Sequence, residues 1–147
     1  MKWVQISSNS SHQVYELWDN DEKQLAFSYH VAHGTVRILS TEPRVFQLHK
    51  KGFLKNRIQL LNEYGIKMAT LVEDVDTGSG HIEVEEKKFR FSIHNRLYKE
   101  AFIFSDDSDK PFITCELPLT LHNYKVLLLV LCWHKMQHQK KKLLQPA

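Results

Sequence analysis

Nine histidines, two cysteines and several clustered carboxylates are the side chains of this 147-residue chain with the right types for catalysis or metal binding. His134 and His138 lie four apart, the spacing at which two imidazoles share a helix face and can grip zinc. Position 135 is Lys where a metalloprotease carries its Glu, and no third ligand is spaced to join them, so the pair reads as a solvated helix end. His30 and His33 flank the end of a strand-like run, and three residues along a strand place side chains on opposite faces, so they read as separate surface or turn residues. "DDSDK", residues 106 to 110, gathers three carboxylates. An EF-hand loop would need its central Gly and terminal Glu, and Pro111 follows directly, so a hairpin turn is expected instead. Asp74 and Asp76 fall in a glycine-containing loop with no rigid frame for paired acid/base work.

Nucleophile patterns are missing: there is no Gly-x-Ser-x-Gly elbow and no glycine-rich phosphate loop. Cys115 and Cys132 stand in apolar surroundings without Cys-x-x-Cys spacing, the pattern of reduced, core-packed thiols. No catalytic residue, metal or cofactor is therefore expected. The surface feature with chemical content is "HKKGFLKNR", residues 49 to 57, where Lys50, Lys51, Lys55 and Arg57 surround Phe53 and Leu54. A basic turn bearing an aromatic attracts anionic phosphates or an anionic membrane surface, at about 1 kcal/mol per Lys or Arg. The plainer alternative is that Phe53 and Leu54 enter the core and the lysines solvate the turn. Lys50, Lys51, Phe53, Lys55 and Arg57 are the candidate binding residues. With 20 Lys and Arg against 17 Asp and Glu, the net charge of +3 is too mild for a dedicated nucleic-acid binder, and no nucleic-acid partner is expected.

Most of the chain must serve to position such a turn. One domain, residues 1–147, is expected from the length. From Trp3 to about Leu117, short β-type runs are broken by polar turns, the spacing of an all-β system. Val36 and Ile38 share one face, as do Phe46 and Leu48. Ile82 and Val84, then Phe89, Phe91 and Ile93, follow the same period of two across a polar break at Glu85 to Lys88, which predicts a hairpin. Three segments, 15–29, 58–72 and 101–115, each read as apolar arm, Asp/Asn/Gly-rich turn, Lys and second apolar arm. "KNRIQLLNEYG" also fits a short helix ending at Gly65, but its likeness to the other two segments favours a strand. Residues 73–81, "EDVDTGSGH", read as a loop.

After Pro118 the pattern changes. In "NYKVLLLVLCWHKM" (123–136), Asn123 is an acceptable N-cap and Val126 to Trp133 is apolar on every face. Eight apolar residues are far short of the roughly 20 needed to cross a bilayer, and Lys125 and His122 flank them, so the run is expected to be a buried helix spanning 123–139 with a polar tail at 140–147. No N-terminal apolar stretch resembles a signal peptide, which places the chain in the cytoplasm, with a peripheral membrane location open. About ten strands followed by an all-round apolar helix predict a closed or nearly closed antiparallel β-barrel of about ten to twelve strands around that helix, since each covers the other; a sandwich with the helix on one open face is the alternative.

In the hairpins at 15–29, 58–72 and 101–115 and the terminal "NYKVLLLVLCWHKM", the chain resembles the tubby C-terminal-like superfamily, which includes the LURP-one-related proteins and the phospholipid scramblases. That resemblance implies a barrel wrapped around a hydrophobic C-terminal helix and a non-catalytic binding module, for anionic phospholipid headgroups or for a protein partner. Tubby proteins bind phosphoinositide headgroups through basic residues, though none of those aligns with Lys50 or Arg57. Two other functions compete: an intracellular carrier of an apolar small molecule, which needs an open barrel interior, and an enzyme, which needs His, Asp or Glu converging in one cleft.

Overall fold

A computed structural model describes residues 1–51, 56–74, 78–95, 99–118 and 124–144, with side chains of the final helix described through Gln139. The strands are β1 (Lys2–Ser8), β2 (His12–Asp19), β3 (Glu22–His30), β4 (Thr35–Ile38), β5 (Arg44–Lys51), β6 (Arg57–Leu61), β7 (Lys67–Glu73), β8 (Ser79–Val84), β9 (Lys87–Asn95), β10 (Lys99–Ser105) and β11 (Pro111–Leu117), followed by α1 (Tyr124–Leu144). Each strand pairs with the next in antiparallel register, and β1 pairs with β11 to close the barrel. The closing pair is parallel, which corrects the all-antiparallel expectation. The reason is arithmetic: in an up-and-down meander an odd number of strands brings the first and last together running the same way. The seam is short, with Lys2 opposite Glu116 and the Glu116 amide donating to Met1 O at 2.9 Å.

Alternation fills the interior. Tyr15 and Leu17, Val36 and Ile38, Leu60, Ala69 and Leu71, Ile82 and Val84, Phe89 and Phe91, and Ala101 and Ile103 all point inward and are buried. Phe46 is buried and Leu48 half-buried toward the barrel end. All eight residues from Val126 to Trp133 are buried. Successive helix positions turn by about 100°, so eight buried in a row means that the helix is covered on every side. It runs through the barrel, with Phe46 edge-on to Trp133 at 4.9 Å between ring centroids. Among the described residues no helix is long and apolar enough to cross a membrane.

All three look-alike segments are hairpins, β2–β3, β6–β7 and β10–β11, and 57–61 is a strand, not a helix. Pro111 opens β11, where a missing amide costs no interior ladder bond. Two expectations change. The 73–81 loop is shorter than expected: Glu73 ends β7 and Ser79, Gly80 and His81 already belong to β8, where Glu73 opposes Gly80. A Cβ at Gly80 would stand 2.0 Å from Val72 O, so the glycine is there for close strand approach, not to loosen a loop. The helix also continues to Leu144, because nothing between Gln137 and Leu144 is Gly or Pro. Asn123, the expected cap, lies outside the described residues.

Candidate functional site

The meander gives the barrel two unlike ends. At the upper rim, where the helix enters, lie the ends of β1, β3, β5, β7, β9 and β11; at the lower rim, where it leaves, lie their starts. Each candidate can be assigned to one of these ends.

The basic turn is on the upper rim, between β5 and β6. Lys51 faces Arg57 across the ladder and Lys50 faces Ile58, and all three basic residues are exposed. None has an ion-pair partner among the described residues. Phe53 and Lys55, with Leu54, fall outside the described residues. Lys50, Lys51 and Arg57 are thus brought together at one rim as a cationic edge with no ion pair among the described residues.

On the same rim sits a group that residue patterns did not single out. Glu73 is the one buried charged residue among those described, with 4% of its surface exposed. Its Oε2 lies 2.7 Å from Lys125 Nζ, and its Oε1 accepts a hydrogen bond from the Tyr124 hydroxyl. Burial works to raise the Glu73 pKa, but the hydrogen bonds from Lys125 and Tyr124 outweigh it and hold the carboxyl below its ordinary 4.5. The Glu73 backbone is held in turn by Asn56, whose O accepts from the Glu73 amide at 3.1 Å. Lys99 stands over the Tyr124 ring at 5.8 Å. The arrangement joins the first turn of the helix to the end of β7. A signal was present in the sequence: Ala69 and Leu71 point inward, so the period of two places Glu73 inward as well.

The third group is formed by histidines. His30 closes β3, and the turn over 31–34 folds His33 back, so the two rings stack with centroids 4.4 Å apart. This corrects the expectation of opposite faces, which holds only while a strand continues. His12, opposite His30 in the β2–β3 register, packs edge-on to it, also at 4.4 Å. Among the described residues no group of His, Cys, Asp or Glu is arranged to hold a metal ion.

At the lower rim, His134 and His138 share a helix face with rings 6.2 Å apart, and line a groove of about 340 Å³ with Gln24, Ser40, Glu42, Arg44, Trp133 and Gln137. Trp133 Nε1 is buried there without a hydrogen-bond partner among the described residues. Asp106, Asp107 and Asp109 belong to the β10–β11 turn, where the Ser108 hydroxyl accepts from the Lys110 amide. Cys115 and Cys132 are free and buried, and burial pushes both thiols up to about 12, which leaves them protonated and inert. Asp74 follows β7, while Asp76 lies outside the described residues. Compared with protein-family models, with curated proteins and with solved structures, the chain finds no match.

Proposed function

We propose that this chain is a non-catalytic binding module of the tubby or LURP-one-like kind, which meets anionic phospholipid headgroups through the upper-rim edge formed by Lys50, Lys51 and Arg57. The observation that carries this reading is the pairing of a solid barrel with an uncompensated cationic edge: Lys51 and Arg57 are ladder partners, exposed and without a carboxylate opposite. Two neighbouring cations that repel each other in the free protein gain when an anion comes between them. The helix side chains that occupy the barrel interior weigh against a carrier, which needs that volume for its ligand. Inert thiols, and a buried carboxylate already engaged by Lys125 and Tyr124, weigh against an enzyme.

Flotation with anionic and with neutral vesicles tests the proposal. The native chain is expected to float with anionic vesicles only. Changing Lys50, Lys51 and Arg57 together to Gln should weaken binding by on the order of a hundredfold, at about 1 kcal/mol for each charge. Equal flotation of the native and triple-substituted chains, or none by a folded native chain, would end the lipid reading.

A further inference from the structure

On the outer wall of the barrel, just below the upper rim, His12, His30 and His33 border a cleft of about 130 Å³ that Ser28, Thr35 and Arg37 complete. The β-ladder explains the convergence: His12 pairs with His30, His30 with Thr35, and Ser28 with Arg37, so one outward face of β2, β3 and β4 supplies five of the six side chains and the following turn supplies His33. Every one of these groups can donate a hydrogen bond and none is a carboxylate. The exposed Arg37 guanidinium and the Ser28 hydroxyl have no protein partner among the described residues. Thr35 Oγ1 accepts from Gln47 Nε2 at 3.0 Å, which leaves its own proton to give. On β2 the next outward charge is Glu16, engaged by Trp18 Nε1 at 3.2 Å and Lys23 at 3.6 Å. On β5, Gln47 is the residue facing Thr35, and His49 follows it outward and exposed.

We infer that this cleft is a proton-gated site for a small oxyanion of the sulfate or phosphate-ester class. Arg37 supplies a fixed fork of donors, the two hydroxyls supply neutral ones, and the imidazoles add charge when protonated. Without an anion His30 resists protonation: partial desolvation, then the proximity of His12 and His33, lower its pKa below the ordinary 6.5. The His33 amide also donates to His30 Nδ1 at 3.3 Å, a bond that requires a lone pair on that nitrogen and directs the His30 proton to Nε2. A bound oxyanion supplies the missing counter-charge, so proton uptake and anion binding favour each other.

Histidine side-chain NMR with sulfate, whose charge is constant over the range, tests the inference at constant ionic strength set with chloride. Saturable shifts of the His12, His30 and His33 signals are expected at about pH 5.5, with affinity falling by about tenfold or more at about pH 8 as His30 loses its charge. Arg37→Gln should weaken binding by about tenfold or more, and His30→Gln should flatten its pH dependence. Lys50→Gln with Lys51→Gln should leave the shifts unchanged, so the rim and the cleft succeed or fail separately. Repeating the titration with glycerol phosphate and with phosphatidic-acid vesicles tells a free phosphate ester from a headgroup, and loss on Arg37→Gln in either supports the site. Shifts that do not saturate, that chloride reproduces, or that survive Arg37→Gln would overturn it.

Discussion

The two ends of the barrel hold the same helix by different means. At the upper rim the hold is ionic and buried: Glu73 takes Lys125 and Tyr124 from the first turn of the helix. At the lower rim Glu85 Oε1 accepts from Gln137 Nε2 at 3.3 Å, a partly buried hydrogen bond between a neutral amide and a carboxylate. The surrounding charge differs as well. Each of the five lower turns carries a carboxylate, as at Asp21, Glu42, Glu63, Glu85 and Asp109, with Lys110 as their one ammonium. The upper edge instead presents Lys50, Lys51 and Arg57. The helix continues to Leu144, so Lys140 to Lys142 fall in its last turns, at the end where the macrodipole favours cations. One end therefore specifies where the helix sits, and the other accommodates its exit.

Breaking the element common to both ends should have the largest effect. Leu129 is fully buried in the middle of the barrel, and Leu129→Asp places an unpaired charge there, so no cooperative unfolding transition should be seen by circular dichroism. A soluble, cooperatively folded Leu129→Asp chain would refute the threaded helix. Next comes the upper lock: Lys125→Met strands the Glu73 carboxylate and should cost about 3 kcal/mol or more in denaturant unfolding.

The sign of its pH dependence sharpens the test. In the native chain the lowered Glu73 pKa contributes stability that is present above pH 4.5 and is lost as pH falls through the lower folded value. In Lys125→Met, burial dominates and raises that pKa, so the variant should recover stability relative to the native chain on acidification. Gln137→Ala at the lower rim should cost about 1 kcal/mol or less, and comparable losses at both ends would abolish the distinction between them.

The smallest effect should be a gain. Glu85 and Glu86 form the β8–β9 turn with φ of 49° and 70°, a left-handed pair that suits Asn and Gly better than Glu. The β2–β3 turn has the same backbone at Asn20 and Asp21, with φ of 50° and 63° and better-suited residues. Exposed Glu86 makes no contact that needs its side chain among the described residues, so Glu86→Gly should stabilise by about 1 kcal/mol, read as a higher denaturant midpoint. Gly at position 85 would confuse the comparison, because Glu85 also holds Gln137.

The architecture was largely legible because it rests on short-range periodicity. Alternation at Val36 and Ile38, at Ile82 and Val84 and at Phe89 and Phe91 predicts strands, and each of these residues is buried inside the barrel. The unbroken Val126–Trp133 run predicts a covered helix, and it is covered. The candidate sites were less legible. Lys50, Lys51 and Arg57 could be found because they are neighbours in the chain. The histidine cleft could not, since His12 meets His30 only through the β2–β3 register, and His33 returns to His30 only because the strand ends there.

By itself, then, the sequence determined which faces are apolar and that the terminal run must be surrounded, because alternation and helical repeat are local properties of the chain. Only the tertiary structure decided the strand number, the parallel seam that an odd number forces, the partners of Glu73 and the meeting of His12, His30 and His33. Those depend on register and closure, where residues far apart in sequence are brought within a few ångströms, and a one-residue slip would turn every side chain to the other face.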